Sequence, residues 1–377
     1  MRRLIAVRFL LVLSFLFAGL ALPGVASAST AQTYIPAVSS DASQQPSSIG
    51  PQTYTVLVGA EDVARKVGVM SYFPSTLHVH VGDTVVWKQN THEIHTVTFL
   101  AGAPMPLLIE PTPQGFTPAG LMLNPQVAFP AAPANGMYDG STYANSGIMS
   151  TDPGQPTQFS LTFTTSGTYE YLCVVHGMMM SGKVVVDLPS TIIPSPATVS
   201  AQAQRTITQE LSRAYELIGL ANAQVPAPRK NADGSSTYTV LIGYSKGPYD
   251  LMSFFPDKLA VKPGDTVNFA LGQTNMAPHT VTFLNGAPDI SFIIPIPNPP
   301  GPPVLLINPQ VLMPINSGKP LTRTGIFSSG LLDPTGPGPY SWPLKIGNIS
   351  GNISYECLLH DTSGMDATLS IVTFSTP

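Results

Sequence analysis

Two short stretches of this chain place sulfur and imidazole donors at matching spacings. Cys357-Leu-Leu-His360 is followed by Asp-Thr-Ser-Gly-Met365, a C-x2-H-x4-M pattern, and Cys173-Val-Val-His176 runs into Gly-Met-Met-Met180. His95 and His279 each stand 78 residues before the corresponding cysteine. Two imidazoles, one thiolate and one weak axial thioether make up a trigonal His2Cys donor set that suits copper. The sulfur donors favour Cu(I) and the imidazoles hold Cu(II). A site that tolerates both states with little rearrangement can pass single electrons.

The scaffold that must position these donors is written twice. Tyr54-Thr-Val-Leu-Val-Gly59 recurs as Tyr238-Thr-Val-Leu-Ile-Gly243, and Gly82-Asp-Thr-Val85 as Gly264-Asp-Thr-Val267. His95-Thr-Val-Thr-Phe-Leu100 recurs as His279-Thr-Val-Thr-Phe-Leu284, and Asn124-Pro-Gln-Val127 as Asn308-Pro-Gln-Val311. Most of these pairs are offset by 184 residues. Such self-similarity marks a duplication. Within copy one, Thr53–Val58, Leu77–Val81, Thr84–Trp87, Thr96–Phe99, Phe159–Phe163, Tyr169–Cys173 and Lys183–Val186 read as short strands bounded by turn residues. Seven short strands per copy predict an all-β chain of two tandem Greek-key β-sandwiches. Between the distant His and the Cys lies a Pro/Gly-rich insert, residues 101–156 and 285–345. Its prolines disfavour central strands, so it reads as an ordered excursion over one end of each sandwich.

The expected order is a signal peptide at 1–28, a tether at 29–51, a first domain at 52–188, a linker at 189–235 and a second domain at 236–377. Arg2, Arg3 and Arg8 precede an apolar run from Phe9 to Leu22 that ends at Ala26-Ser27-Ala28, the layout of an export signal. That run is too short to span a bilayer; an uncleaved anchor from Leu4 to Val25 is the alternative. Its removal leaves 14 basic against 21 acidic residues, with no further span and an exported product. In the linker, Ser195-Pro196 opens a helix over Ala197–Ala223, with Ile207, Leu211, Ala214 and Ile218 on one stripe. A helix of that pattern should pack across both sandwiches. Charged residues are only 10% of the chain, and no Lys/Arg run exists to hold nucleic acid.

Both copies resemble cupredoxins of the plastocyanin/azurin family, most closely where Pro278-His279 joins the C-x2-H-x4-M pattern. The resemblance covers about 52–188 and 236–377. It implies a type 1 (blue) copper at one end of each sandwich, two per chain. The implied ligands are His95, Cys173, His176 and a Met in copy one, and His279, Cys357, His360 and Met365 in copy two. It also implies that His176 and His360 expose a ring edge through an apolar patch, for redox partner proteins to approach. The sequence departs from the family pattern in its long inserts, in Ile94 before His95, and in Asp366-Ala367 where a Gly pair is usual.

The axial Met of copy one needs a register. Strand side chains alternate, so Val184 and Val186 should match Leu369 and Ile371 as inward positions. Counting back four residues gives Met180 and Met365, which leaves Met178 and Met179 pointing outward. Met179 as the ligand is the competing count.

Three functional classes fit the donors. The first is an exported electron carrier with two type 1 coppers. The second is a copper oxidoreductase resembling two-domain nitrite reductases or multicopper oxidases. That class commonly places a further ligand His beside the type 1 Cys, whereas Leu172, Val174, Glu356 and Leu358 occupy those places here. The three other His, at 78, 80 and 92, all lie in copy one and stay unassigned, with a second metal site as one use. The third class is a non-redox copper-binding surface protein. A Cys173–Cys357 disulfide is the plain account of two cysteines in an exported chain, yet it does not require the x-x-His and Met that follow each.

Overall fold

The structure, a computed structural model, describes residues 50–373 apart from 117–118, 152–153, 273 and 337. The expected signal peptide and most of the tether lie outside the described residues. Each repeat folds as two facing β-sheets. In the first, Thr53–Asp62, Val67–Phe73, Thr84–Gln89, Gln158–Phe163 and Met137–Tyr138 form one layer. Thr76–His80, Gly177–Asp187, Gly167–Cys173, Thr98–Phe99 and Ala144–Asn145 form the other. The second repeat builds its layers from Ser236–Lys246, Tyr249–Phe255, Thr266–Leu271 and Ser341–Lys345, and from Lys258–Val261, Asp366–Ile371, Gly351–Glu356, Thr282–Phe283 and Phe327–Ser328. In both, the first strand pairs in parallel with a strand three places on in the chain, so the sheets are wound rather than simply meandering.

Alternation explains the strands that were legible. Gln158–Phe163 buries Phe159, Leu161 and Phe163 and turns Gln158 and Ser160 outward. These residues meet Trp87, Phe99 and Tyr171 in an aromatic centre, with Trp87 and Phe99 edge-to-face at 5.5 Å. Phe269, Phe283, Trp342 and Tyr355 fill the same place in the second repeat.

Val67–Phe73 was not legible, because nearly every residue in it is buried and no alternation shows. Met70 and Tyr72 face the sandwich core, whereas Val67, Val69 and Phe73 face the linker helix. A strand covered on both faces reads as a continuous apolar run. Its edge also pairs antiparallel with Tyr249–Leu251 of the second repeat, which merges the two inner layers into one ten-stranded sheet.

The linker helix runs Pro196–Ala223, one residue longer than expected. Ser195 caps it by accepting from the Thr198 amide, and Pro196 occupies the first turn, where its missing N–H costs nothing. Its N-terminal half packs Ala203 and Ile207 on Ala60, Val69 and Phe73. Its C-terminal half packs Ala214, Leu217 and Ala221 on Val67, Tyr244, Leu251 and Phe255. The helix therefore spans both repeats, as its stripe implied.

The inserts correct the sequence reading. They are not separate excursions: Leu121–Leu123 of one pairs with Val304–Ile307 of the other through Met122 and Leu306. With Ile109–Pro111 and Ile293–Ile296 at the edges they make a four-stranded sheet shared by the two repeats. The prolines sit on its edge strands, where a missing N–H breaks no ladder. Each Asn-Pro-Gln-Val motif is a capped helical turn, the Asn side chain accepting from the Gln amide. Val127 packs on Leu172 and Val174, and Val311 on Leu358, so these turns brace the residues flanking each cysteine.

Candidate metal centres

Cys173 ends the strand Gly167–Cys173 and Cys357 follows Gly351–Glu356 directly, so each thiol lies at the mouth of its sandwich. His95 and His279 reach the same end by leaving their strands early. Each makes only an isolated bridge, to Met149 and Leu332, and regular pairing resumes at Thr98 and Thr282. The predicted strand from Thr96 is shortened for that reason.

The three donors of each repeat converge. His95, Cys173 and His176 have ligand atoms within 4.8 Å of one another, and so do His279, Cys357 and His360. The Cys173 sulfur lies 3.8 Å from His95 Nδ1 and 3.4 Å from His176 Nδ1. The Cys357 sulfur lies 3.7 Å and 3.4 Å from His279 Nδ1 and His360 Nδ1, which are 3.1 Å apart. Three such donors at roughly 2.0–2.3 Å around one ion would be separated by roughly 3.5–3.7 Å, close to these edges. Met180 and Met365 are fully buried, whereas Met179 and Met178 are 46% and 72% exposed. Val184, Val186, Leu369 and Ile371 are all buried, as the register required. Both cysteines are free, which removes the disulfide alternative.

The surroundings prepare lone pairs rather than charges. His279 Nε2 lies 3.3 Å from the Asn275 amide oxygen, an acceptor, so Nε2 carries the hydrogen and Nδ1 is left bare. The Thr91 hydroxyl, which donates to the Glu93 carbonyl, does the same for His95 Nε2 at 3.1 Å. Burial pushes His95 and His279 well below the usual imidazole range, and their neighbours His176 and His360 add to this. Burial alone takes His176 down to about 4; burial and then His176 take His360 to about 4. The bare Nδ1 of His279 faces His360 Nδ1 at 3.1 Å. Burial raises the Cys173 thiol and pushes Cys357 up to about 11, partly offset by the Thr96 and Thr280 amides, which donate to the sulfurs at 3.3 and 3.4 Å. Gly59 and Gly243 close the back of each site at φ of 72° and 63°. A Cβ there would come within 2.8 Å of His95 Nε2 or 2.5 Å of His279 Nε2.

Residues 60–187 match the family of copper-binding proteins described as the plastocyanin/azurin family. The matched stretch lies within the first repeat. That family binds copper, and the two His-Cys-His groups fit two copper ions. Amicyanin from Paracoccus denitrificans is 30% identical over 126 residues, which is 33% of this chain and 63% of amicyanin's length. A solved structure of an amicyanin mutant is 25% identical and covers 36% of this chain and 82% of its own, with a TM-score of 0.21. A mutant plastocyanin of fern is 20% identical over 35% of this chain and 99% of its own, with a TM-score of 0.20.

The structure departs from the expected exposure of His176 and His360. His360 is buried, and the His176 side chain keeps only 16% of its surface. Both turn Nε2 toward one carboxylate, Glu93, at 4.0 Å from His176 and 3.5 Å from His360. Sequence reasoning missed Glu93. Its one signal was the mismatch between Thr91-His-Glu-Ile-His95 and Asn275-Met-Ala-Pro-His279, where Glu93 stands opposite Ala277. The other three histidines do not converge. His78 Nδ1 is 2.7 Å from Asp187, His80 Nε2 is 2.9 Å from the Thr191 carbonyl, and His92 Nδ1 is 2.6 Å from Glu61. Among the described residues, the two His-Cys-His groups are the clusters able to hold a metal.

Proposed function

We propose that this chain is an exported electron-transfer protein holding two type 1 copper ions, one at each His-Cys-His group. The observation that carries the reading is the pair of matching triads, each with a buried Met four residues before the same inward strand position. The proposed ligands are His95, Cys173, His176 and Met180, and His279, Cys357, His360 and Met365. Copper so held supplies a one-electron couple. The protein's part is to hold the donors in one arrangement for both oxidation states. The Thr96 and Thr280 amides steady the sulfurs, and their hydroxyls accept from the Val174 and Leu358 amides at 2.9 Å to lock the turn after each Cys. Burial excludes water from the ligands, and Thr91 and Asn275 orient the first imidazoles. Met178 and Met179, exposed beside His176, form a soft apolar surface on which a redox partner can dock.

Export is proposed from the first 28 residues; no helix among the described residues is long and apolar enough to cross a membrane. The test is purification of the mature protein with copper analysis, visible absorbance and redox titration. Two coppers, an intense thiolate-to-copper band and reversible one-electron exchange at each support the reading. Turnover of nitrite or O2 would move it to the oxidoreductase class, and redox-silent copper to the binding class.

A further inference from the structure

The face-to-face placement of the two ligand sets has a consequence for how electrons move within the chain. Each C-terminal histidine offers Nδ1 to its own triad and Nε2 to the Glu93 carboxylate. Glu93 itself is buried, at 9% exposure. Its backbone carbonyl accepts from Gln89 Nε2 at 2.7 Å and from the Thr91 hydroxyl at 3.2 Å, which fixes the turn that carries it. The next residue, Ile94, packs into an apolar cluster drawn from both inserts, including Leu123, Ile148, Ile307 and Phe292. A carboxylate in so apolar a setting interacts strongly with the groups it touches.

We propose that Glu93 is a carboxylate bridge between the two centres, which makes this chain a coupled two-electron unit with internal exchange. The proposal rests on the electron-carrier reading above. With Nδ1 committed to a metal, each imidazole must carry its hydrogen on Nε2, the atom that faces the carboxylate at 4.0 Å in His176 and 3.5 Å in His360. One group then joins the two ligand rings, His176 on one side and His360 on the other. In the exchange one centre loses one electron and the other gains it; Glu93 keeps its charge, and no bond or proton is transferred. The negative charge favours the more positive, oxidised state at both centres, so the two potentials share one control. Glu93 is a positioning residue here, acting through the histidines.

The test uses the full copper-loaded protein and its Glu93→Ala and Glu93→Gln variants. Ala277 at the equivalent place of the second repeat shows that this turn accepts alanine. Three quantities are read: both midpoint potentials, the exchange rate between centres after pulsed one-electron reduction, and the electron-spin-resonance spectrum of the doubly oxidised protein. The wild type should show spin–spin broadening that Cys357→Ser lacks. Glu93→Ala should raise both potentials together and slow exchange at least tenfold. Glu93→Gln, which keeps an acceptor but not the charge, should raise both potentials while retaining a third or more of the rate. Potentials unchanged and a rate within twofold in Glu93→Ala would overturn the bridge. A wild type lacking two blue coppers would instead overturn the electron-carrier reading, so the two failures are distinguishable.

Discussion

The loop from Cys173 to Met180 and the loop from Cys357 to Met365 carry the same donor types, yet they meet different surroundings. In the first, Met178 and Met179 stand in solvent and His176 keeps part of its surface. In the second, Ser363 and His360 are buried, and Gly364 lies so close to Val63 that an added Cβ would come within 3.1 Å of its carbonyl. Lys66 of the first repeat also reaches over to Asp366, at 2.8 Å. On the proposed reading the first centre would be a port and the second an interior store, although their donor residues are alike. Duplication preserves the donor residues, while the interface between copies decides which donor set stays open to solvent.

Removing one centre is the strongest way to separate port from store. Cys173→Ser and Cys357→Ser should each remove about half of the blue band. Cys173→Ser should also stop rapid reduction of the remaining centre by external donors, whereas Cys357→Ser should leave the first centre's rate nearly intact. Stopped-flow reduction of each variant reads both effects. Equal external rates in the two variants would break the comparison.

The axial positions sharpen it. Met180→Leu should shift the potential and spectrum of the first centre, since the axial ligand tunes both, and Met179→Leu should leave them nearly unchanged. The reverse outcome in a redox titration would move the ligand to Met179. Charging the exposed surface with Met178→Glu and Met179→Glu together should slow protein-mediated reduction several-fold while both potentials hold. Unaltered rates would place the docking surface elsewhere.

The seam between the copies carries its own signature. Asp250 is buried in the strand that joins the two inner layers, and burial raises its carboxyl to about 6, partly offset by the Ser245 hydroxyl. A folded value above the unfolded one means the native state binds the proton more tightly. Its contribution is favourable at pH 4 and is lost as pH rises from about 4 through about 6. Asp250→Asn should match the wild type near pH 4 and exceed it by about 3 kcal/mol at pH 7. Denaturant titrations at both values, with metal absent, check the difference. Lys66→Ala should give the smallest effect, under about 1 kcal/mol, because an exposed ion pair stabilises little. It should loosen the second loop alone, which amide exchange across residues 360–366 would show.

Much of this was legible from one chain. The donor residues stood out because C-x2-H and a distant His occurred twice at one separation, and spacing survives whatever the surroundings do. Exposed-and-buried alternation marked Gln158–Phe163, and Ser195-Pro196 marked the helix start, because both are local effects of backbone geometry. Val67–Phe73 escaped because its second face is covered by a helix more than a hundred residues away.

By itself the sequence determined the paired donor residues, the duplication, the β character of each copy and the capped linker helix, all of which depend on neighbours along the chain or on exact recurrence. Only the tertiary structure decided that the inserts pair with each other and that the second loop is buried against the first repeat. It alone decided that His176 and His360 both face Glu93. Those outcomes depend on contacts between residues 80 to 300 positions apart, where no local periodicity records which surface will meet which. A lone glutamate beside a histidine is an ordinary surface residue until the fold encloses it between two imidazoles.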